Sequence, residues 1–504
     1  MQNHMVNQIL SRIREYSLTQ GAFTACRFLD RQICWAELEE KTNWIASILQ
    51  SKFQIARQTP IIIYHSRGIE FIEYMVAVLK CSCFYIPLEH STPVERVKTI
   101  FDNVRAGLIL TDRTEFFGGD AYPSFSFDGW EGPVLDSAEQ HVVAEVDDTD
   151  LVYCIYTSGT SGKPKGVKIM YRNLINLVES FYDILYSQFG DIVQVGVLAS
   201  FSFDSSVKQI YCSLFYGHTL CIAESAAQRF GQKLHDFFAR YDVTLCDVTP
   251  SHLKLVTLQH VKRVSRIPYL LIGGEVLRWE QLHAYTRRTD HCPNFINLYG
   301  PTECCVDVAY KIISQEELSS HENGIVPIGK GLRNTYFTLR SEDLRAIEEA
   351  YTEGELFVSG KQVGSGYVNF ESDVFWKEDG HITYKTGDIA YYDGNEDIVV
   401  VGRKDQQVKI NGYRVELGEI QSVVEDFMRC PCVVLCVESG GSNKIAVFIS
   451  GERLSAKDKS KLGEHLRCVL PKYMVPHYYF PISNLPLTEN GKIDNKQLQE
   501  ILMR

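Results

Sequence analysis

Apolar positions along this chain recur with two periods, one helical and one of short β-branched runs. Ala36 to Gln50 has helical spacing and precedes the run Pro60 to Tyr64; Phe71 to Lys80 precedes Phe84 to Leu88 in the same way. Val94 to Asn103 before Gly107 to Thr111, and Ser206 to Tyr216 before His218 to Ala223, continue the pattern toward Tyr299. Helices that alternate with strands predict layered α/β structure with largely parallel sheets. From about Gly329 to Val401 the character changes to glycine-punctuated β runs, including Glu355 to Val358 and Asp397 to Val401, which predicts a smaller β-rich lobe. Beyond it, a helix over Glu416 to Met428, strands at Val433 to Val437 and Ile445 to Ile449, and a helix over Ser455 to Val469 predict a separate α+β domain of ordinary size. The expected boundary lies at Arg403 to Asp405, giving a large N-terminal domain, 1–404, and a small C-terminal one, 405–504.

Composition narrows the class. A chain of 504 residues exceeds one compact core. Lys plus Arg number 51 and Asp plus Glu 63, so the net charge is 51 − 63 = −12, spread along the chain, and nucleic acid is not an expected partner. The fifteen cysteines are odd in number and often sit in apolar runs, as Cys436 does, which fits reduced thiols in a cytoplasmic protein. Cys81 and Cys83, Cys304 and Cys305, and Cys430 and Cys432 lack CxxC spacing, so no thiolate metal site is expected. The N-terminus is charged where a signal peptide is apolar, and no apolar run approaches the ~20 residues of a membrane helix. No membrane partner is expected.

The chemistry concentrates in one loop. The apolar run Leu151 to Tyr156 leads into Thr157-Ser158-Gly159-Thr160-Ser161-Gly162-Lys163-Pro164-Lys165-Gly166, and a helix follows from Tyr171. Small residues let backbone NH groups and hydroxyls approach phosphate oxygens, and two lysines add positive charge. The loop lacks the GxxxxGK[ST] spacing of a Walker sequence, and by itself it fits a surface turn equally well.

The string YTSGTSGKPKGV resembles the signature of the adenylate-forming superfamily, which contains nonribosomal peptide synthetase adenylation domains, acyl-CoA synthetases and luciferases. Further strings follow in that superfamily's order: Trp35 to Leu38, Leu79-Lys80 with Tyr85 to Pro87, Phe203-Asp204, Asn297 to Glu303, Gly354 to Leu356 with Gly366-Tyr367, Tyr384 to Asp388, Gly402 to Asp405, Gln407 to Glu416, and Asn490 to Asp494. Together they cover nearly the entire chain.

The resemblance implies ATP and Mg2+ as cofactors and assigns roles by position. Thr157 through Lys163 would grip the β and γ phosphates, with Thr157 and Lys165 taking part in catalysis. Tyr299 would stack on adenine beside Gly273, Gly274 and Glu275, with Asn297, Gly300 and Thr302 near the nucleotide. Asp388 would accept the ribose hydroxyls beside Arg403, and Glu303 would hold Mg2+, a hard cation that takes oxygen ligands. A carboxylate attacking the α phosphorus crowds negative charge onto one centre, so positioned cations should matter more than proton transfer. Lys492, after the Asn490-Gly491 turn, is the implied catalytic cation. The family's small domain rotates between adenylation and thioester formation, which makes Asp405 the implied hinge and brings Gly412 toward the cleft in the second state.

Asp204 matches the position where amino-acid-activating members pair the substrate's α-ammonium. A buried carboxylate without a partner is costly, so an amino group is its natural ligand. The implied pocket is Asp204, Ser205, Lys208, Asp247, Leu271, Gly273, Leu298, Val306 and Asp307, closed by Lys492, and it resembles that of glutamate-activating members, departing at Ser205 and Leu298. Lys208 would then meet the γ-carboxylate. Three carboxylates against one lysine leave glutamine open as the alternative; with glutamate, Asp247 or Asp307 needs to be protonated or turned away. Lys208 suits a polar side chain better than the methyl group handled by D-alanine ligases of similar length.

Cys81 to Cys83 and Glu89-His90 depart from the second family motif at positions that are mainly structural. No phosphopantetheine attachment motif follows Lys492, and Gly440-Gly441-Ser442 reads as a hairpin turn, so the expected acceptor is the phosphopantetheine thiol of a carrier protein supplied in trans. CoA or an amine is the alternative acceptor, and a non-catalytic interaction protein a third reading.

Overall fold

The computed structural model describes residues 8–117, 119–127, 146–159, 164–258, 265–404, 407–410, 413–439, 442–451, 454–486 and 493–502. The chain divides into two compact units: residues 1–89, 104–155 and 166–404 form the larger, and residues 90–103, 156–165 and 405–504 the smaller.

In the larger unit the alternating pattern becomes two mainly parallel sheets. One has nine strands, and its centre runs Asn294–Tyr299, Tyr269–Ile272, Leu245–Val248, Gln194–Val197, Thr219–Ile222 and Thr24–Phe28, all parallel neighbours. Antiparallel strands flank this centre on both sides, with Arg31–Cys34 at one edge and Lys330–Gly331 beyond Ala309–Ile313 at the other. The second sheet orders Ser124–Phe125, Leu108–Thr111, Pro60–His65, Phe84–Glu89, Leu151–Thr157 and Lys165–Met170. Short, fully buried strands such as Pro60–His65 and Phe84–Glu89 are near-continuous apolar runs because helices cover both faces of a parallel sheet. The glycine-punctuated region folds as a six-stranded antiparallel sheet that includes Thr335–Arg340, Gly354–Gly360, His381–Tyr392 and Ile398–Arg403.

Helix Val207–Tyr216 shows how the local sequence sets an element. Its interior residues from Val207 to Phe215 are all buried, and it stops at Gly217, which takes φ +72° and so supplies the left-handed cap that other residues adopt at a cost. Lys208 lies in its first turn among buried neighbours. Sequence patterning did not separate strand Lys165–Met170 from the loop that leads into it: Lys165 and Gly166 already belong to the strand. A β-strand tolerates such residues where one face is partly open, so composition marked the loop as longer than it is.

The smaller unit packs helices Leu417–Met428 and Ala456–Val469 with strands Cys432–Ser439, Ser442–Ser450 and Tyr478–Ile482 around Ile420, Val434, Val447, Leu462 and Met474. Ser455 caps its helix by accepting the Asp458 amide at 3.1 Å. Ser439 pairs with Ser442, and Gly440 and Gly441 lie outside the described residues. No helix among the described residues is long and apolar enough to cross a membrane.

Candidate functional site

In an open parallel sheet, the carboxyl ends of the strands meet loops that can shape a crevice. Asp247 lies near the end of strand Leu245–Val248 and is in register with Leu271 on the next strand, which pairs in turn with Ile296. Gly273 follows the second of these strands, and Leu298 and Tyr299 end the third. Asp204 and Ser205 sit in the 3-10 turn that leads into helix Val207–Tyr216. These residues, separated in sequence, therefore share one end of the nine-stranded sheet.

Lys208 is 1% exposed, and its Nζ lies 2.7 Å from Asp247 Oδ2 and 2.7 Å from Asp307 Oδ2. The ammonium also stands 4.5 Å from the centre of the Phe181 ring, a cation–π contact with a residue that no sequence motif had marked. Burial pushes the Lys208 pKa down, but the two carboxylates outweigh it and leave the value raised. Asp247 is pushed up to about 6: burial is the largest cause, Lys208 opposes it, and Asp307 adds to it. Its Oδ1 is buried without a hydrogen bond of good geometry, although the Gln209 amide lies near enough to ease the charge slightly. Neither Asp247 nor Asp307 is turned away from the lysine.

Asp307 reaches Lys208 through an uncommon backbone turn. Cys305 and Val306 both have positive φ, +52° and +75°, and the Asp307 amide donates to the Cys305 carbonyl at 3.1 Å. This is a γ-turn of the rare positive-φ form, and it centres on a β-branched residue, where strain of about 1–3 kcal/mol is ordinary. Two further bonds hold it: Gln362 Nε2 donates to the Cys305 carbonyl at 2.9 Å, and the Val308 amide to the Tyr299 carbonyl at 2.8 Å. Gly300 makes the turn possible, because a Cβ there would meet the Val306 carbonyl oxygen at 2.1 Å and the Asp307 Cα at 2.6 Å.

Asp204 has no ion-pair partner among the described residues. Burial pushes it up to about 6, a hydrogen bond from Thr302 lowers it, and Asp307 raises it further. Leu271, Leu298 and Val306 are buried, whereas Ser205 is exposed and Gly273 half-buried.

The groups that sequence placed near a nucleotide form a second set in the same unit. The Tyr299 hydroxyl donates to Asp388 Oδ2, and Arg403 Nη1 donates to Asp388 Oδ1 at 2.9 Å, so both carboxylate oxygens are held. Glu303 is 1% exposed, with the Tyr367 hydroxyl on its Oε1 at 2.7 Å. Glu275 accepts from the Ser251 amide at 3.1 Å and the Ser251 hydroxyl at 2.7 Å. Asn297 Nδ2 donates to the Pro327 carbonyl at 2.8 Å, and Gly274 takes φ +82°. Among the described residues, no group of three or more His, Cys, Asp or Glu is arranged to hold a metal.

Part of the candidate phosphate loop belongs to the smaller unit, where Thr157 ends a strand and Ser158 is 3% exposed. Ser158 Oγ donates to the Arg414 carbonyl at 3.2 Å and accepts from the Glu416 amide at 2.9 Å. The Gly159 amide donates to Glu419 Oε2 at 3.2 Å, and Arg96 Nη1 holds Glu419 Oε1 at 2.6 Å. Arg96 and Glu419 are 323 residues apart, and no local signal joined them. Thr160 to Lys163, Asp405, Gly412 and Lys492 lie outside the described residues.

The AMP-binding enzyme family model matches residues 14–368. Surfactin synthase subunit 1 of Bacillus subtilis (strain 168) is 32% identical over 489 residues, which are 94% of this chain and 13% of that protein. The chain thus spans about an eighth of that relative's length. Among solved structures, the Vibrio cholerae adenylation domain AlmE, in complex with glycyl-adenosine-5'-phosphate, superposes with a TM-score of 0.84 at 21% identity, covering 100% of this chain and 98% of that one. PA1221, a nonribosomal peptide synthetase protein containing adenylation and PCP domains, gives 0.82 at 22% identity over 98% of this chain and 84% of its own. At these identities the structural likeness is one of fold.

Proposed function

Because this chain belongs to the AMP-binding enzyme family, we propose that it uses ATP to activate an α-amino acid, L-glutamate by preference, as the aminoacyl-adenylate. The amino acid's carboxylate oxygen bonds to the α phosphorus, the bridging bond to the β phosphate breaks, and pyrophosphate leaves. The phosphopantetheine thiol of a carrier then attacks the acyl carbon, and AMP leaves. PA1221 joins adenylation and PCP domains in one chain, which supports a carrier as the acceptor.

The observation that carries the amino-acid reading is Asp204: a largely buried carboxylate, raised by burial and unpaired by any described cation. An α-ammonium is the ligand that would relieve it. Lys208 supports the side-chain assignment, since it is a buried ammonium with three N–H donors, two of them engaged. Tyr299, Asp388 and Arg403 form a connected set suited to a nucleoside, the hydroxyl and guanidinium orienting the carboxylate that would receive ribose. Glu303 offers the single carboxylate with which Mg2+, phosphate oxygens and waters commonly complete a site; the ion would neutralise phosphate charge. Lys492 remains the proposed cation at the α phosphate, acting in adenylation and not in thioester formation.

Amino-acid-dependent ATP/pyrophosphate exchange tests this reading across the common amino acids. The wild-type chain is expected to prefer glutamate, Lys208→Gln to shift toward glutamine, and Lys492→Ala to lose exchange. If neither glutamate nor glutamine supports exchange, the pocket assignment is wrong. The pairing of Lys208 with two acids favours a second reading, glutamine, whose neutral amide adds no charge to the cluster. Incubation with a carrier, CoA and free amines separates the possible acceptors.

A further inference from the structure

The pocket's charge does not balance for an acidic substrate, and this inference rests on the glutamate reading just given. Lys208 contributes one positive charge; Asp247 and Asp307, each 2.7 Å from it, contribute two negative ones. The cluster is already short of one positive charge before any ligand arrives. A γ-carboxylate placed on the remaining Lys208 hydrogen would gather three carboxylates around one ammonium that is 1% exposed. Like charges at such separations in a buried site do not all stay ionised, so one of the three takes a proton.

Asp247 is the acid best placed to take it. Its Oδ2 faces Lys208, while its Oδ1 is buried with only the Gln209 amide near it. We propose that Asp247 takes up one proton from solvent when glutamate binds, so that the side chain is recognised by a lysine and a carboxylic acid together and glutamate affinity falls as pH rises. Protonation converts Asp247 from a repelling acceptor into a donor toward the γ-carboxylate. No covalent bond other than O–H changes.

The groups around Asp247 offer no other means of neutralising the charge. Lys208 is the only cation among the described residues that pairs with it, and Asp307 shares that lysine. Cys246, Cys212 and Tyr186 are all raised by burial and stay neutral, so they neither supply nor absorb charge near neutrality. Gln209 is a neutral amide, and Asp204 is reserved for the α-ammonium. Burial already lifts Asp247 to about 6 without a ligand, so the added proton enters at a group near its titration range.

The test measures KM for glutamate and glutamine by pyrophosphate exchange between pH 6.5 and 8.5. Both substrates share the α-ammonium and the nucleotide site, so their KM ratio isolates the side chain. The glutamate/glutamine ratio is expected to rise by up to about tenfold per pH unit, the slope of a single proton. Calorimetry in buffers of different ionisation enthalpy should count about one proton taken up per glutamate at pH 8, and none per glutamine. Asp247→Asn, or Asp247→Ser if the first fails to fold, should flatten the ratio. Glutamate accepted with a pH-independent ratio overturns the proposal and leaves the substrate reading standing. A slope that survives in both variants removes the role from Asp247. Exchange with another amino acid but not with glutamate at any pH defeats the substrate reading itself, and the coupling with it.

Discussion

Two buried acidic clusters, one in each unit, are built differently. Glu419 of the smaller unit is matched: Arg96 holds one oxygen at 2.6 Å and the Gly159 amide meets the other at 3.2 Å. The pocket of the larger unit is unmatched: one lysine serves Asp247 and Asp307, and Asp204 has no described cation at all. A buried charge with its partners in place can be structural, whereas an uncompensated one imposes a standing cost that a ligand can remove. The difference separates a cluster whose charges are balanced by its own residues from one whose charges are not.

The largest effect is expected at Asp204. Asp204→Ala should lower kcat/KM in amino-acid-dependent exchange by about 100- to 1,000-fold, because the substrate ammonium then enters the pocket without a counter-charge. An exchange rate within threefold of wild type would remove the ammonium role. For the matched cluster, Arg96→Ala should cost about 3 kcal/mol of folding stability by leaving Glu419 buried without its cation. Denaturant unfolding measures it, and Arg96→Ala combined with Glu419→Gln should recover part of the loss. A loss below about 1 kcal/mol would mean that the pair is not a structural anchor.

Gly300→Ala sharpens the other side. Its Cβ would meet backbone atoms, which cannot rotate away, so a loss of about 2 kcal/mol is expected together with a displaced Asp307 and a weakened preference between glutamate and glutamine. The smallest effect is a gain. Asp204 in the folded chain titrates near 6, above its ordinary 3.8, so the stability it contributes is fully present below pH 3.8 and is lost as pH rises through 6. Asp204→Asn should therefore raise the stability of the ligand-free protein by about 1–2 kcal/mol at pH 8, with the shift discounted for partial exposure, and by almost nothing below pH 4. Thermal unfolding at both pH values checks the sign.

Much of the fold was legible because period and length were clear. Pro60 to Tyr64 and Phe84 to Leu88 became adjacent parallel strands, and Ser206 to Tyr216 became a helix with Lys208 in its first turn. The strand at Lys165 to Met170 was less legible, since glycine and lysine hid its start. In the candidate site, the motif containing Tyr299 and Glu303 runs up to the γ-turn at Val306 but carried no trace of it. That turn arises from packing and hydrogen bonds, not from a residue preference, and valine is among the residues least suited to it. Phe181 and Arg96 were also invisible, because each acts on a residue far away in the chain.

The layered α/β class, the family, and the order of the glycine-rich loop, Asp204, Lys208 and Asp388 were legible from residues alone. Those features are written in local periodicity and short strings, which survive without knowledge of contacts. The pairing of Lys208 with both Asp247 and Asp307 came only from the packed chain. Asp247 and Asp307 both meet the buried ammonium, and the γ-turn over Gly300 holds Asp307 against it, an arrangement that depends on residues far apart in the chain.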